Sequence, residues 1–562
     1  MTMTKEPEIC WLKDRYGLLD ENSQAAARSL LSAERETGST AHPLPADPLN
    51  LEAWGNAATN EPEANRNAPL VIINSDEGLF LQTRRCYLAE KSIADRIRSL
   101  STDAPITISE ETIRSSFGNP SEGDLQVEAA RTALRSKVTI ITGGPGTGKT
   151  FTLARILTLL LSDGSGISEE KIALAAPTGK AADRMKGAIE ASLQGIDDTM
   201  DSKLRKVARR SMTLHKLMGA HPVTGECRHR KDNPLPWKLL IIDECSMVDI
   251  HLWKALLESL QEGTRLILLG DPKQLQSVGQ GNVFADLAAH ANGENSVLHG
   301  RKVHLTRSIR FAECPGISAL AESMQIDGSK GSKGAEEAER LLLTSNDPAG
   351  DLLWIDVGEK PLDYSRFPSS LRDALIAVAD AETPASALDA LQRICILTPH
   401  RNSFVGAETL SRNITDALAG RKDRPRQLLP PNEPVIINRN DPETGLRNGA
   451  VGVICADAKG QRRAWFRKGN EEPESYPLGA LPDHSPAWAI TIHRSQGSEY
   501  DQVFVILPAK KSVMATRELL YTAITRAKEN VIIAGTMEAV EKAVVTTSDR
   551  VTLLREALDR VF

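Results

Sequence analysis

The sequence predicts an α/β protein with two parallel-sheet cores facing one crevice, a small β-barrel inserted into the second core, and a separate N-terminal domain. Three observations lead there. Gly143–Thr150 reads GGPGTGKT, a GxxxxGK[ST] loop entered from the β-branched run Val138–Thr142. Short apolar runs that each end in a polar cluster recur on both sides of that loop, with helical patterns between them, as parallel strands with crossover helices require. A stretch rich in short strands, glycine and charge interrupts the second series.

Bulk properties set the bounds. A chain of 562 residues holds several domains of about 100–200 residues each. Hydrophobic content of 41%, charged content of 25% and a mean hydropathy of −0.28 fit an ordinary globular protein. The net charge of −6 neither requires nor excludes a nucleic-acid partner, because phosphate binding depends on where the cations sit. Seven scattered cysteines without a CxxC pair indicate neither a disulfide framework nor a zinc ribbon, and fit a reducing cytoplasm. The first residues lack an apolar signal segment, and no apolar stretch approaches about 18 residues, so the chain is expected to be cytoplasmic and not membrane-spanning.

Residues 1–120 read as a scaffold module without a catalytic constellation. It holds a helix at Ser23 to Glu34, a Pro/Asn/Ala-rich connection from Pro43 to Pro69, a strand from Leu70, a second strand within Gly78–Arg85, and a docking helix over Tyr87–Leu100.

The glycine-rich loop comes next. Leu153, Ile156, Leu157, Leu160 and Leu161 form one helical stripe after it, giving strand, loop, helix. Glycines let backbone N–H groups approach phosphate oxygens, the helix N-terminus adds positive potential, Lys149 bridges the outer phosphates, and Thr150 offers a hydroxyl to Mg²⁺. Four runs then mark strands: Val138–Thr142, Ile172–Ala176, Leu239–Ile242 and Leu266–Leu269. Their polar ends should converge on one nucleotide. The second run leads to Thr178 and Lys180; the third ends in Asp243 and Glu244, a metal-holding and a water-polarising carboxylate; the fourth leads to Gln274, placed to sense a γ-phosphate.

Between the second and third runs lie Lys203, Arg205, Lys206, Arg209 and Arg210, then Arg228–Lys231, which read as a nucleic-acid contact or a solvated face. His221, Cys227 and His229 lack a fourth ligand, so no zinc is predicted. In the second half, Arg310 stands at a strand-to-helix junction and Ile326–Ala338 reads as a flexible surface loop. A new core starts at Ile394–Thr398 and resumes at Ala489, Val503–Leu507 and Val531–Ala534, with a small β-barrel from Val435 to Tyr476 between its first two strands. Thr491–Glu499 is a polar loop, and a helix from Glu518 delivers Arg526, an arginine suited to a developing phosphoryl charge.

Taken in order, GGPGTGKT, LAAPTGKAADRM, TLHKLMG, IIDECSMVD, LLGDPKQLQSVGQGNVFADL, TRSIRF, TIHRSQGSEYDQV and YTAITRAKENVII resemble the motif set of superfamily-1 helicases. Within it the chain is similar to the RecD family, the alpha chain of exodeoxyribonuclease V, from about Asp124 to Gly535. GSTAHPL and GLFLQTRR are weaker echoes of that family's N-terminal domain. No helix-hairpin-helix extension precedes them, which favours the complex-forming subunit over stand-alone RecD-like helicases.

The resemblance implies two RecA-like P-loop NTPase domains closing on ATP, with 5′→3′ translocation on single-stranded DNA. It divides the chain into 1–120, a partner-docking domain; 121–300, domain 1A with a short 1B β-hairpin at about 213–237; and 301–562, domain 2A with an SH3-like 2B insertion at about 432–484. Gln126 falls where the family reads adenine; Gly143, Gly144, Pro145, Gly146, Thr147, Gly148, Lys149 and Thr150 hold the phosphates. Thr150 and Asp243 serve Mg²⁺, and Glu244 positions water. Gln274, Arg310 and Arg526 match γ-phosphate sensors, while Thr178, Lys180, His215, Asn448, His493, Ser495 and Gln496 fall in strand-contacting motifs. Cys245 stands where Ala is usual, Ile309 where an aromatic is, and Ala450 where an acid is.

RecB-like and RecC-like subunits and DNA ends are the implied partners, with the nuclease in the RecB-like one; Glu169–Lys171 is better read as a solvated turn than as a nuclease site. The competing readings are a helicase acting alone or in a mobile-element or defence system, a subunit that binds ATP and DNA without hydrolysis, and a GTPase or small-molecule kinase. Intact Lys149, Glu244 and Arg526 argue against the second, and Asn438–Asp441 is a poor guanine motif for the third.

Overall fold

The computed structural model describes residues 7–16, 20–44, 54, 56–118, 120–162, 165–193, 198–221, 224–326, 331–345, 347, 350–358, 362–420, 432–457, 459–467, 472–508 and 515–560. Near the N-terminus, β1 (Ala41–Pro43), β2 (Ala58–Thr59), β3 (Leu70–Ser75) and β4 (Gly78–Thr83) form a sheet of order β1-β4-β3-β2. Thr83 then caps the helix Arg84–Leu100, its hydroxyl oxygen accepting from the Cys86 N–H. That helix buries Ile93, Ile97 and Leu100 in the same apolar cluster as Val138, Ile140 and Trp253. The helix Arg84–Leu100 therefore joins the first core, while Ile9, Leu30, Trp54, Leu70, Ile72 and Leu81 form a cluster of their own.

The first core is a fully parallel sheet. Its strands are β5 (Val138–Gly143), β6 (Ile172–Ala176), β7 (Met212–Thr213), β8 (Leu239–Ile242), β9 (Arg265–Gly270) and β10 (Lys302–Leu305), in the order β10-β5-β9-β8-β6-β7. Every residue of β5, β6, β8 and β9 is buried, because alternate side chains enter two clusters: Leu240, Ile242, Leu266 and Leu268 on one face, Leu239, Ile241, Ile267 and Leu269 on the other. The edge strand β10 pairs with β5 from Lys302↔Ile140 to Leu305↔Gly143. Residues 302–305 thus belong to the first sheet.

The second core contains β11 (Leu352–Asp356) and β12 (Ile394–Thr398). The chain then leaves for an antiparallel sheet of β13 (Glu433–Ile437), β14 (Val451–Ala456), β15 (Arg462–Phe466), β16 (Glu474–Pro477) and β17 (His484–Pro486), ordered β16-β15-β14-β13-β17 over Val435, Ile437, Ile454 and Phe466. It returns with β18 (Ala489–Thr491), β19 (Tyr500–Ile506) and β20 (Ala527–Gly535), completing the parallel order β11-β20-β19-β12-β18.

Two expectations need correction. In place of a loop over Ile326–Ala338, the chain forms the helix Gly331–Thr344, with 327–330 outside the described residues. Ala335, Ala338 and Leu342 recur at helical spacing and pack in one cluster with Val540 and Val544, a stripe that the Gly/Ser/Lys composition conceals. In place of a hairpin ladder over 213–237, the described residues show two isolated antiparallel bridges, Ala220↔Cys227 and Arg230↔Asn233.

After the helix Met537–Val545 the chain crosses back. The Val551 carbonyl accepts from the N–H groups of Thr40 and Ala41, and Leu554 and Leu558 join the first core. The Arg550 guanidinium donates to the carbonyls of Gly279 (2.6 Å), Gly281 (2.7 Å) and Ser277 (2.5 Å), tying the C-terminal segment to the loop after Gln274.

Candidate active site

The β5 strand delivers the glycine-rich loop, and the helix Lys149–Leu160 leaves it. Gly146 (φ 76°) and Gly148 (φ 82°) adopt left-handed backbone that side-chain-bearing residues avoid. A Cβ on Gly148 would stand 2.5 Å from Gln126 Nε2, and one on Gly146 would stand 2.4 Å from the Arg310 Cβ. The loop is thus gripped by the two residues expected to read the base and the γ-phosphate. Its far side is closed by the segment after β10: the Ile309 N–H donates to the Gly146 carbonyl at 2.9 Å, and the Ser308 hydroxyl to that of Pro145 at 3.1 Å. Lys149 Nζ donates to the carbonyls of Gly143 (2.6 Å) and Gly144 (2.9 Å). Burial pushes its pKa down, countered by Asp271, Glu244 and Asp243.

The acidic pair leaves β8. Glu244 is the single non-glycine with positive φ among the described residues (54°), a conformation that stores strain, and its carboxylate lies 3.9 Å from Arg184 Nη1. Asp243 Oδ1 accepts from the Glu244 N–H at 2.8 Å. Burial, then the neighbouring Glu244 charge, raises the Asp243 pKa to about 6 against the opposing pull of Lys149.

The second core supplies the facing wall. Arg526, 2% exposed, donates from Nη2 to Gln274 Oε1 at 2.6 Å and from Nε to the Thr522 carbonyl at 3.2 Å. Gln274 donates to Asp271 Oδ2 at 3.3 Å, and the Tyr521 hydroxyl donates to the same oxygen at 3.1 Å. The Leu275 N–H donates to the Thr522 hydroxyl, and Gln496 Nε2 to the Leu275 carbonyl. Burial lowers the Arg526 pKa, while Glu244 and Asp271, the carboxylates that face Lys149, counter that effect. A Cβ on Gly144 would stand 3.1 Å from the Tyr521 hydroxyl, so the helix Arg517–Ile524, just before Arg526, packs against the loop that carries Lys149. Arg310 Nη2 donates to Glu499 Oε1 at 2.6 Å, and its Nη1 is buried with no hydrogen-bond partner among the described residues. An unmatched guanidinium donor, loop N–H groups and the oxygen donors of Thr150 and Asp243 suit a polyphosphate with Mg²⁺.

The expected strand contacts divide. Thr178 caps the helix Gly179–Ala191, its hydroxyl accepting from the Ala181 N–H, and Lys180 Nζ lies 6.0 Å from the centre of the Tyr500 ring. Although its side chain reaches solvent, protein surrounds Lys180 in the crevice, and that desolvation lowers its pKa to about 8. His215 and Asn448 are exposed, and His493 is half-buried. Ser495 and Gln496 depart from expectation. Ser495 is buried with its hydroxyl on the Ile492 carbonyl, and Gln496 bridges the two cores. Of the basic stretch, Arg205 pairs with Asp201, Lys206 with Glu169, and Arg230 with Asp232.

Comparison with known proteins decides the family. Residues 126–280 match the family described as AAA domain, and residues 486–534 match the UvrD-like helicase C-terminal domain. The RecBCD enzyme subunit RecD of Mycolicibacterium smegmatis is 34% identical over 489 residues, covering 86% of this chain and 82% of that protein. The chain belongs to the RecD family. The subunit of the same name from Haemophilus influenzae is 33% identical over 78% of this chain and 72% of its own. The ATP-dependent RecD2 DNA helicase of Deinococcus radiodurans is 28% identical over 72% of this chain and 47% of its own. The Pif1 helicase structure from Candida albicans aligns with 74% of this chain and 95% of its own at 17% identity and a TM-score of 0.40.

In this RecD-family chain the site holds more residues than the motifs had singled out. Asp271, Tyr521, Thr522, Arg184 and Glu499 all lie within quoted motifs, yet their partners across the crevice are hundreds of positions away.

Proposed function

We propose that this RecD-family chain hydrolyses ATP to move 5′→3′ along single-stranded DNA and unwind duplex. In this reading it is the RecD-type subunit of a RecBCD-like helicase–nuclease, acting at DNA ends in double-strand-break repair and recombination, with RecB-like and RecC-like partners and the nuclease in the former. The observation that carries the reading is Arg526 from the second core bonded to Gln274 of the first at 2.6 Å, beside the phosphate loop. A relative named RecD at 34% identity over most of both chains supports the complex-forming reading over the stand-alone helicase, whose named relative is 28% identical.

Chemistry follows from the residues. Lys149 and the loop N–H groups bind the β- and γ-phosphates, and Gln126 lies against Gly148 where it can meet the base. Mg²⁺, held by Thr150 and through Asp243, would neutralise phosphate charge. Glu244 orients the attacking water and takes its proton. Arg310 and Arg526 stabilise charge developing on the γ-phosphoryl. Gln274 hears this change and passes it through Leu275 to Thr522 and Gln496, so hydrolysis alters contacts between the cores. Thr178, Lys180, His215, Asn448 and His493 contact the DNA strand, the inserted antiparallel sheet acts as an SH3-like barrel beside it, and residues 213–237 act as the 1B element at the duplex. Residues 1–120 are the docking segment for partners.

Steady-state ATPase with and without single-stranded DNA tests this. Wild type should be stimulated by DNA, Lys149→Ala inactive, and Arg526→Ala down by about 10³-fold in kcat. Hydrolysis unaffected by Arg526→Ala would refute the reading.

A further inference from the structure

Arg184 and Arg310 share one acceptor in the crevice that the proposed chemistry does not use. Glu499, at the start of β19 in the second core, accepts through Oε1 from Arg310 Nη2 at 2.6 Å and, on the same oxygen, from Arg184 Nη2. Arg310 is fixed to the phosphate loop through Ile309, and Arg184 lies on the helix Gly179–Ala191, whose first turn carries Lys180 and whose cap is Thr178. Arg184 Nη1 also stands 3.9 Å from Glu244. Gly497, two residues before Glu499, packs against Ala181 of that helix, its Cβ position lying 3.5 Å from the Ala181 Cβ. One carboxylate thus joins the γ-phosphate side of the crevice to the helix expected to touch the DNA strand.

We propose that Glu499 is a positioning residue that holds Nη2 of Arg310 away from nucleotide, and that Arg184 sets how firmly it does so according to the state of the strand-contacting helix. This rests on the ATPase reading above. The two guanidinium groups repel one another, so their common position depends on the carboxylate between them. A γ-phosphate can take Nη1 of Arg310, but a bidentate clasp needs Nη2 as well, and for that arm it must compete with Glu499. When strand binding turns Arg184 from its contact with Oε1 alone to a bidentate contact with both Glu499 oxygens, the carboxylate is better satisfied, Arg310 is released and hydrolysis speeds up. Arg184 then acts as a switch on Glu499, and Glu499 on Arg310.

Substitutions at the two residues should shift KM in opposite directions. Neutralising the carboxylate in Glu499→Gln should lower the KM for ATP and raise DNA-free turnover, so the stimulation by DNA falls about fivefold or more. Arg184→Ala leaves Glu499 wholly to Arg310 and should raise KM, while Arg184→Lys restores part of the wild-type value. The double variant should behave as Glu499→Gln alone. The test is ATPase kinetics, split into kcat and KM with and without oligo(dT), for wild type, these variants and Lys149→Ala, all confirmed as folded by circular dichroism. Wild type no more active than Lys149→Ala would sink the ATPase reading itself. DNA-stimulated wild type, with Glu499→Gln and Arg184→Ala shifting KM in the same direction or adding independently, would overturn the inference alone.

Discussion

Arg526 and Gln274, 252 residues apart in the chain, meet at 2.6 Å across the crevice between the two parallel-sheet cores. An arginine that is 2% exposed needs strong acceptors, and Gln274, Ser498 and Thr522 provide them from both walls. The pair is therefore a joint as well as a charge. Gln274→Ala should reduce kcat by about tenfold to a hundredfold, and Arg526→Ala by more, since in the proposed function that arginine bears directly on the phosphoryl charge. A double-mutant cycle on ATPase rates should give a coupling well above zero; strictly additive losses would mean the contact carries no signal.

Gly148→Ala tests the loop. Its φ of 82° disfavours any side chain by about 1–2 kcal/mol, and the new methyl would collide with Gln126 Nε2. Nucleotide affinity, measured with a fluorescent ATP analogue, should fall about tenfold or more while the far-ultraviolet spectrum holds. Gln126→Ala in the same background should recover part of the loss, because it removes the clash but not the backbone strain.

Lys180 gives a pH signature. Its pKa is lowered to about 8 by desolvation, with Arg526 and Arg184 adding to the effect, so its charge is present below that pH and lost above it. Affinity for single-stranded DNA should therefore decline from pH 7 to pH 9 at fixed salt. Lys180→Arg, which stays protonated, should flatten that decline. Equal slopes for both proteins would remove Lys180 from the strand contact.

Glu90 gives a stability signature at the seam where the C-terminal segment meets the N-terminal sheet. Its carboxylate accepts from Thr40, from Gln82 Nε2 at 2.8 Å and from the Leu553 N–H at 3.2 Å, yet full burial raises its pKa from 4.5 to about 7. The folded state binds the extra proton between those values, so the contribution of Glu90 to stability is greatest below pH 4.5 and is lost as pH rises to about 7. Glu90→Gln keeps two acceptor contacts without charge. Its thermal midpoint relative to wild type should rise between pH 5 and pH 8.

How much could be read in advance follows from burial and from distance along the chain. Strands β5, β6, β8 and β9 were legible because both faces are covered, which forces unbroken apolar runs. Edge strands β7 and β10 are short and partly exposed, and they carry no such pattern. The helix Gly331–Thr344 was hidden by three glycines and by serines ahead of its apolar stripe. The phosphate loop, Asp243, Glu244, Gln274 and Arg526 were legible because each motif is local. The Glu499 cluster was not, since its bonds span 189 and 315 residues and no periodicity connects such positions. Ser495 and Gln496 were expected at the strand from the resemblance to the helicase motifs alone, and a local motif does not register that both side chains are buried here.

Strand displacement on duplexes that carry either a 5′ or a 3′ single-stranded tail tests the central claim most directly, using wild type and Lys149→Ala with ATP. Unwinding that needs the 5′ tail and disappears in Lys149→Ala is the predicted result. Robust unwinding from the 3′ tail alone, or displacement that survives Lys149→Ala, would contradict the claim that ATP hydrolysed between these two cores drives movement toward the 3′ end.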